Sequence, residues 1–212
     1  MMEEFGKKYL DLLNGEFAGI NLTRITDFQE FYNKQIVDSI LPALNSEVFA
    51  KQLEKKKKLL DVGFGGGFPI LPLAKRFPEY SFAGIEARRK KAEVVAKIAD
   101  RLDVKNAKLY HFRLEELFID TPVVITLKAV GKVEDFLSKI VFSKPPVVFF
   151  YKGPNFRELE DLNKVLRTWE LVEEKEIILP GAEGRYVVGF SPKSVPRRTK
   201  VNKTLVNLSD IF

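Results

Sequence analysis

The sequence predicts an α/β protein with a doubly wound, mainly parallel seven-stranded sheet, closed by a C-terminal antiparallel hairpin and preceded by helices. Three observations carry this. From residue 58 onward, short apolar bursts alternate with helix-period segments, the pattern of βαβ units whose sheet is covered on both faces. A glycine cluster in LLDVGFGGGFPILPLA (59–74) joins the first burst to the first of these helices. Near the end, LVEEKEIILP and RYVVGF are strand-like runs separated only by residues 181–184, with a glycine at each end of the gap.

In chain order, Phe5, Tyr9, Leu12, Leu13 and Phe17 recur at helical spacing and predict a helix over 3–18. FYNKQIVDSILPAL reads as a second amphipathic helix, expected to break near Pro42 because proline removes a donor and crowds the preceding turn. Leu59 to Val62 is a buried strand, Pro69 to Arg76 a helix, and Ser81 to Ile85 the second strand. Arg88 to Leu102 is a helix with Val94, Val95, Ile98 and Leu102 as its apolar stripe. Strands follow at Ala107–His111, Val123–Leu127 and Val147–Phe150, with helical patterns at 133–142 and 156–168. No repeat or linker divides the chain. One domain is expected over 1–212: a helical extension (1–50), a binding core (51–192) and a basic tail (193–212).

Composition narrows the chemistry. The chain has 212 residues, no cysteine and a single histidine, His111. Thiolate metal sites and cysteine nucleophiles are excluded, and a histidine-based zinc site or a Ser-His-Asp triad has too few parts, so no metal is expected. The longest apolar runs fall far short of the ~20 residues of a membrane span, and MMEEFGKKYL lacks the apolar stretch of a secretion leader. A cytoplasmic monomer is the expectation. The formal net charge is +6, gathered at Lys55–Lys58, Arg88–Lys91 and the tail PKSVPRRTKVNK. Such stretches favour a polyanionic partner, with Arg88, Arg89, Arg197, Arg198 and Lys200 as candidate RNA contacts.

The glycine turn discriminates between cofactors by spacing. A phosphate-binding loop needs a Gly-Lys-Ser/Thr ending, and Phe68 stands there without one. The dinucleotide fingerprint would need its third glycine at the same position. Acid-x-Gly-x-Gly-x-Gly is met in full by Asp61, Gly63, Gly65 and Gly67. That pattern suits S-adenosylmethionine (SAM), whose amino-acid end and ribose need backbone passing close by without side chains. Glu86, at the end of the second strand, is where a carboxylate would accept the ribose hydroxyls.

The motif with its closing Gly67-Phe68-Pro69 resembles that of the bacterial 16S rRNA guanine-N7 methyltransferases, the glucose-inhibited division protein B family. NLTRITD, NKQIVDSIL, FRLEEL, LKAVGKVEDFL and VPRRTKVNKTL resemble other segments of that family in the same order. The resemblance implies a class I SAM-dependent methyltransferase of Rossmann-like fold, acting on 16S rRNA or the small ribosomal subunit. It implies cofactor contacts at Gly63, Phe68, Leu114, Glu115 and Lys128, beside the Gly65 and Glu86 of the spacing argument. The chain departs from the family at Lys128, where arginine is usual, at Gln35 for histidine and at Ile70 for glycine. Lysine keeps the charge and loses the bidentate fork.

The residues themselves permit an N7 acceptor. C5 methylation of pyrimidines uses a cysteine, and amine methylation uses an Asn/Asp-Pro-Pro-aromatic loop where this chain has Lys128-Ala129-Val130-Gly131. Guanine N7 carries a free lone pair and no proton, so alignment can suffice and no catalytic side chain is singled out. Two rivals stay open at this point. One is a SAM-dependent enzyme acting on a small molecule or protein; the other is a non-catalytic RNA-binding module with a merely structural glycine turn.

Overall fold

The computed structural model describes residues 1–180, 184–195 and 204–212. The N-terminal part is helical: α1 (Met2–Asn14), then α2 (Phe28–Phe31), α3 (Asp38–Asn45) and α4 (Glu47–Lys56). Between α2 and α3 the helix does not stop but widens into a π-turn over Tyr32–Val37, where the Asp38 amide reaches back to the Asn33 carbonyl. Pro42 lies inside α3 rather than at a break. The proline costs only the bond to the carbonyl of Asp38, and burial of Ile40 and Ala43 on the same helix holds the segment. Helix α4 was not apparent in the sequence; Ser46 caps it by accepting from the Phe49 amide at 3.0 Å, and Phe49 stacks on Phe149 of the sheet at 4.3 Å.

The alternating region follows: β1 (Lys58–Val62), α5 (Ile70–Arg76), β2 (Ser81–Ile85), α6 (Arg89–Arg101), β3 (Ala107–Tyr110), β4 (Leu117–Ile119) and β5 (Val124–Lys128). Then come α7 (Val133–Leu137), β6 (Val141–Phe142), β7 (Val147–Lys152), α8 (Phe156–Leu159), β8 (Trp169–Ile177), β9 (Arg185–Pro192) and β10 (Val206–Asn207). The main sheet has seven strands in the order β3-β2-β1-β5-β7-β9-β8. The first five are parallel, and β8 and β9 form the antiparallel hairpin.

This order positions the site. The chain winds outward from β1 through β2 to β3, then crosses back to β5 and winds the other way. The carboxyl ends of β1 and β5 therefore diverge around a crevice, the place where open α/β sheets bind ligands. One face of the sheet packs against α1, the π-turn helix and α4 to α6; the other packs against α7, α8 and the chain end. Parts of the segments expected as long helices at 133–142 and 156–168 are short turns and the strand β6. A small parallel sheet, β10-β4-β6, was not foreseen. It ties down the last residues of the segment expected as a tail: Leu208 is fully buried, and the Tyr110 hydroxyl donates to the Ile211 carbonyl at 3.1 Å.

Candidate active site

The glycine turn leaves β1 with three left-handed residues, Gly63 (φ 74°), Gly65 (φ 55°) and Gly67 (φ 91°). Side chains are strained in that conformation, which accounts for the alternate glycines. A Cβ on Gly67 would lie 2.2 Å from the Tyr9 hydroxyl, whereas one on Gly65 would meet nothing nearer than 3.9 Å. Gly67 is thus filled from below by protein, and Gly65 faces open space. Glu86, at the end of β2, fastens the turn: Oε2 accepts from the Gly65 amide at 3.0 Å and Oε1 from the Arg88 amide at 2.9 Å. Each oxygen keeps lone-pair capacity for a ligand hydroxyl.

Four of the expected residues line one cavity of about 250 Å3: Gly63, Glu86, Leu114 and Glu115, with Val130 and Phe136 opposite. Leu114 and Glu115 stand on a 3-10 turn over Leu114–Glu116, which the FRLEEL stretch builds itself: the Glu116 carboxylate accepts from the Arg113 amide. Glu115 is exposed and pairs with Lys139 at 2.9 Å, which holds its carboxyl below the usual range. Gly65 bounds this region through its bond to Glu86. Phe68 lies apart from the cavity, buried beneath the turn, where it stacks on Tyr9 at 4.9 Å and meets Phe31 edge-on. The Tyr9 hydroxyl, buried and missed in the sequence, donates to the Gly66 carbonyl. Its signal was an aromatic phenol on an otherwise apolar helix stripe.

A bound SAM fits these residues on a further count. Asp61 is fully buried; its Oδ1 accepts from the Thr126 hydroxyl at 2.8 Å, while Oδ2 is the one buried side-chain polar atom among the described residues without a partner. Burial raises its pKa to about 7 against the opposing pull of Thr126, the Ile70 amide and Lys128. Asp61 does not line the cavity, so a cationic ligand group, such as the ammonium of SAM, would meet its charge from across the turn. Residues 61–115 therefore offer a charge partner, an open backbone path and a hydroxyl acceptor in that order.

Lys128 is elsewhere. At the end of β5 it points away from the 250 Å3 cavity and pairs with Asp38 at 2.9 Å; burial lowers its pKa and Asp38 opposes the shift. Asp38, fully buried at the start of α3, also takes a bidentate fork from Arg185, at 2.9 and 3.0 Å. Neither Asp38 nor Arg185 was singled out in the sequence, although an acid inside the apolar run IVDSIL was a signal for the first. Further along the same edge, Lys152 pairs with Glu160 and donates to the Gly131 carbonyl at 2.8 Å.

The basic stretches separate by location. Arg88 and Arg89 are exposed at the site's edge of the sheet, just past β2. Lys55 to Lys58 lie at the opposite edge, where they end α4 and begin β1; cations there suit the helix C-terminus. Arg197, Arg198 and Lys200 lie outside the described residues. Among the described residues, no cluster of three or more His, Asp or Glu could hold a metal, and no helix is long and apolar enough to cross a membrane.

Comparisons with known proteins agree with this architecture. Mitomycin 7-O-methyltransferase MmcR superposes with a TM-score of 0.55 at 11% identity, covering 89% of this chain and 67% of that one. A SAM-dependent O-methyltransferase from Thermotoga maritima gives 0.51 at 16%, covering 74% and 67%. At such identities the likeness speaks to the fold, that of class I SAM-dependent methyltransferases. Sequence relatives go further. The ribosomal RNA small subunit methyltransferase G of Pseudothermotoga lettingae is 35% identical over 205 residues, covering 91% of this chain and 86% of its own. That of Streptococcus pneumoniae is 30% identical over 212 aligned positions, covering 92% and 87%. The family model for rRNA small subunit methyltransferase G, GidB, matches residues 2–183, and this chain, with the family's glycine turn and its acid in place, belongs to that family.

Proposed function

We propose that this protein transfers the methyl group of SAM to N7 of a guanine in 16S rRNA, in the cytoplasm and as a monomer. The observation that carries the reading is the glycine turn fastened by Glu86, facing a cavity that also gathers Leu114 and Glu115. Bound SAM supplies an activated, electrophilic methyl group. Gly63 and Gly65 would let the backbone come close to it, Glu86 would accept from the ribose hydroxyls, and Asp61, buried beneath the turn, would attract the ammonium. The Leu114 backbone and the Glu115 carboxylate border the adenine, while Phe68 acts from beneath by supporting the turn.

On the acceptor side, SAM would supply the methyl group and guanine N7 the electron pair for the new bond, with the old bonding pair left on sulfur. No proton departs from N7, so the protein's task is alignment and not base catalysis. The ring gains positive charge as the bond forms, which disfavours an uncompensated cation beside N7. Asp38 answers that requirement for Lys128 by pairing it. Lys128 then serves the acceptor side or the carboxylate end of the cofactor as a binding group. Arg88 and Arg89, with Arg197, Arg198 and Lys200 of the C-terminal segment, supply phosphate contacts.

Two measurements test the reading. Calorimetric titration with SAM should show one site per chain, and N7-methylguanosine mapped in 16S rRNA should disappear at one position when the gene is deleted. Absence of SAM binding, or an unchanged methylation map, would overturn it.

A further inference from the structure

Two cavities open beside the cofactor cavity, and among the described residues Arg185 is the one charged side chain that lines both. The first, about 570 Å3, is walled by Ile25, Gln35, Asp38 and Lys128. The second, about 680 Å3, is walled by Val130, Lys152, Asn155 and Leu159. Ala129, Pro154 and Arg185 line both. The second also shares Val130 with the cofactor cavity, so the three lie in a row along the carboxyl edge of the sheet. Each of the two is large enough for a small-molecule ligand.

Arg185 is held in place. Its Nε and one terminal nitrogen donate to the two oxygens of Asp38, a fork that fixes the guanidinium plane. Asp38 itself is fully buried and bound by Lys128. A fixed guanidinium presents flat faces on which unstacked RNA bases pack. The buried charges differ between the cavities. In the second, Lys152 is neutralised by Glu160. In the first, Asp38 faces Lys128 and the Arg185 shared by both cavities, so Lys128 is the buried cation that the first cavity has to itself beside that fork. The guanine to be methylated suits the second cavity because that cavity adjoins the cofactor cavity at Val130. A neighbouring nucleotide, with its phosphate and the hydrogen-bonding edge of its base, suits the first cavity, where Lys128 and the half-buried Gln35 amide stand together.

We propose that the enzyme binds two consecutive nucleotides of its RNA. The target guanine lies in the cavity at Val130, the neighbouring base in the cavity at Gln35 and Lys128, and Arg185 is between them. The inference rests on the reading of the protein as an RNA guanine methyltransferase. It explains why the N-terminal helical segment, remote from the cofactor turn in sequence, supplies Gln35 and Asp38 to this edge.

The test uses the full-length protein saturated with S-adenosylhomocysteine, so that no turnover occurs. The probes are guanosine monophosphate and two dinucleotides with the neighbour 5′ or 3′ of the guanosine. One dinucleotide should bind about tenfold more tightly than the mononucleotide, since stacking one base contributes roughly that much or more. The ratio should collapse to near one in Gln35→Trp, which fills the first cavity, and in Ile25→Trp, which fills it from the opposite wall if the first variant does not fold. Equal binding of all three probes would overturn the proposal, as would a ratio that survives in a folded cavity-filling variant. Methylation of small-subunit rRNA by the same protein, freed of S-adenosylhomocysteine and supplied with SAM, separates the two levels. Normal methylation without a dinucleotide advantage overturns the second subsite alone; absence of methylation overturns the underlying reading.

Discussion

The half of the crevice proposed to hold the cofactor and the half proposed to hold the acceptor are built by different means. The cofactor half draws mainly on one stretch, residues 61–115, closed by Val130, Phe136 and Lys139, and works largely through backbone: left-handed glycines, an amide bonded to Glu86, a 3-10 turn. The acceptor half draws on residues from Ile25 to Arg185 and works through charged side chains that meet only after folding. A site made of backbone must write its geometry into local sequence, because glycine spacing is what permits it. A site made of side chains needs only that distant positions carry the right groups. The two halves should therefore fail separately when perturbed.

The largest expected effect is on the acceptor half. Asp38→Ala leaves Lys128 buried and Arg185 partly buried without their carboxylate, and breaking a buried ion pair from one side costs about 3–5 kcal/mol. Denaturant unfolding should show that loss, while the folded fraction keeps its SAM affinity within about threefold, because none of Asp38, Lys128 and Arg185 lines the cofactor cavity. An equal collapse of SAM affinity would break the distinction between the halves. Glu86→Gln is the counterpart on the cofactor side. It removes charge from the acceptor of the Gly65 and Arg88 amides and of the ribose, costing about 1.5–3 kcal/mol of SAM binding. RNA affinity should hold; parallel calorimetry and filter binding would show whether it does.

That division also explains what could be read from the sequence. The parallel strands and the closing hairpin were legible because apolar bursts and turn residues are local. Gly63, Gly65, Glu86, Leu114 and Glu115 were legible through spacing and through motifs shared with a family, and they meet in or beside one cavity. The continuity of the helix through Pro42 was not, since the π-turn before it and the burial around it are tertiary effects. Helix α4 escaped because its lysine run reads as a solvated or RNA-facing stretch, although those lysines end a helix at the far edge. Lys128 was visible as a departure from the family's arginine, yet its partners, Asp38 and Arg185, lie too far away in sequence to suggest each other.

A pH experiment sharpens the comparison further. In the free protein the Asp61 carboxyl has a pKa of about 7, raised by burial, against about 4 when unfolded. A raised folded pKa means that the stability it contributes is full below the unfolded value and is lost as pH rises through about 7. The ammonium of SAM favours the carboxylate and pulls that pKa down in the complex. Affinity for SAM should therefore climb between about pH 5.5 and 7, by up to about tenfold per unit, and level off above. Asp61→Asn should flatten the climb. A parent protein whose affinity is constant over that range would place the ammonium elsewhere.

The smallest effect probes how the helical cap reaches the cofactor half at all. The Tyr9 hydroxyl donates to the Gly66 carbonyl from beneath, while its ring stacks on Phe68. Tyr9→Phe keeps the ring and its packing and removes only the donor, leaving a buried carbonyl unpaired at a cost of about 0.5–1.5 kcal/mol. The carbonyl lies between Gly65, whose amide holds Glu86, and Gly67, whose Cα is packed against Tyr9 itself. Loosening it should loosen the turn, so the lost energy should reappear in part as a severalfold weaker Kd for SAM, with RNA affinity unchanged. If the hydroxyl is merely structural, the melting temperature falls and the Kd does not move. That outcome would confine the cap's role to the acceptor half, through Asp38 and Gln35, and make the division between the halves sharper than the hydrogen bond suggests.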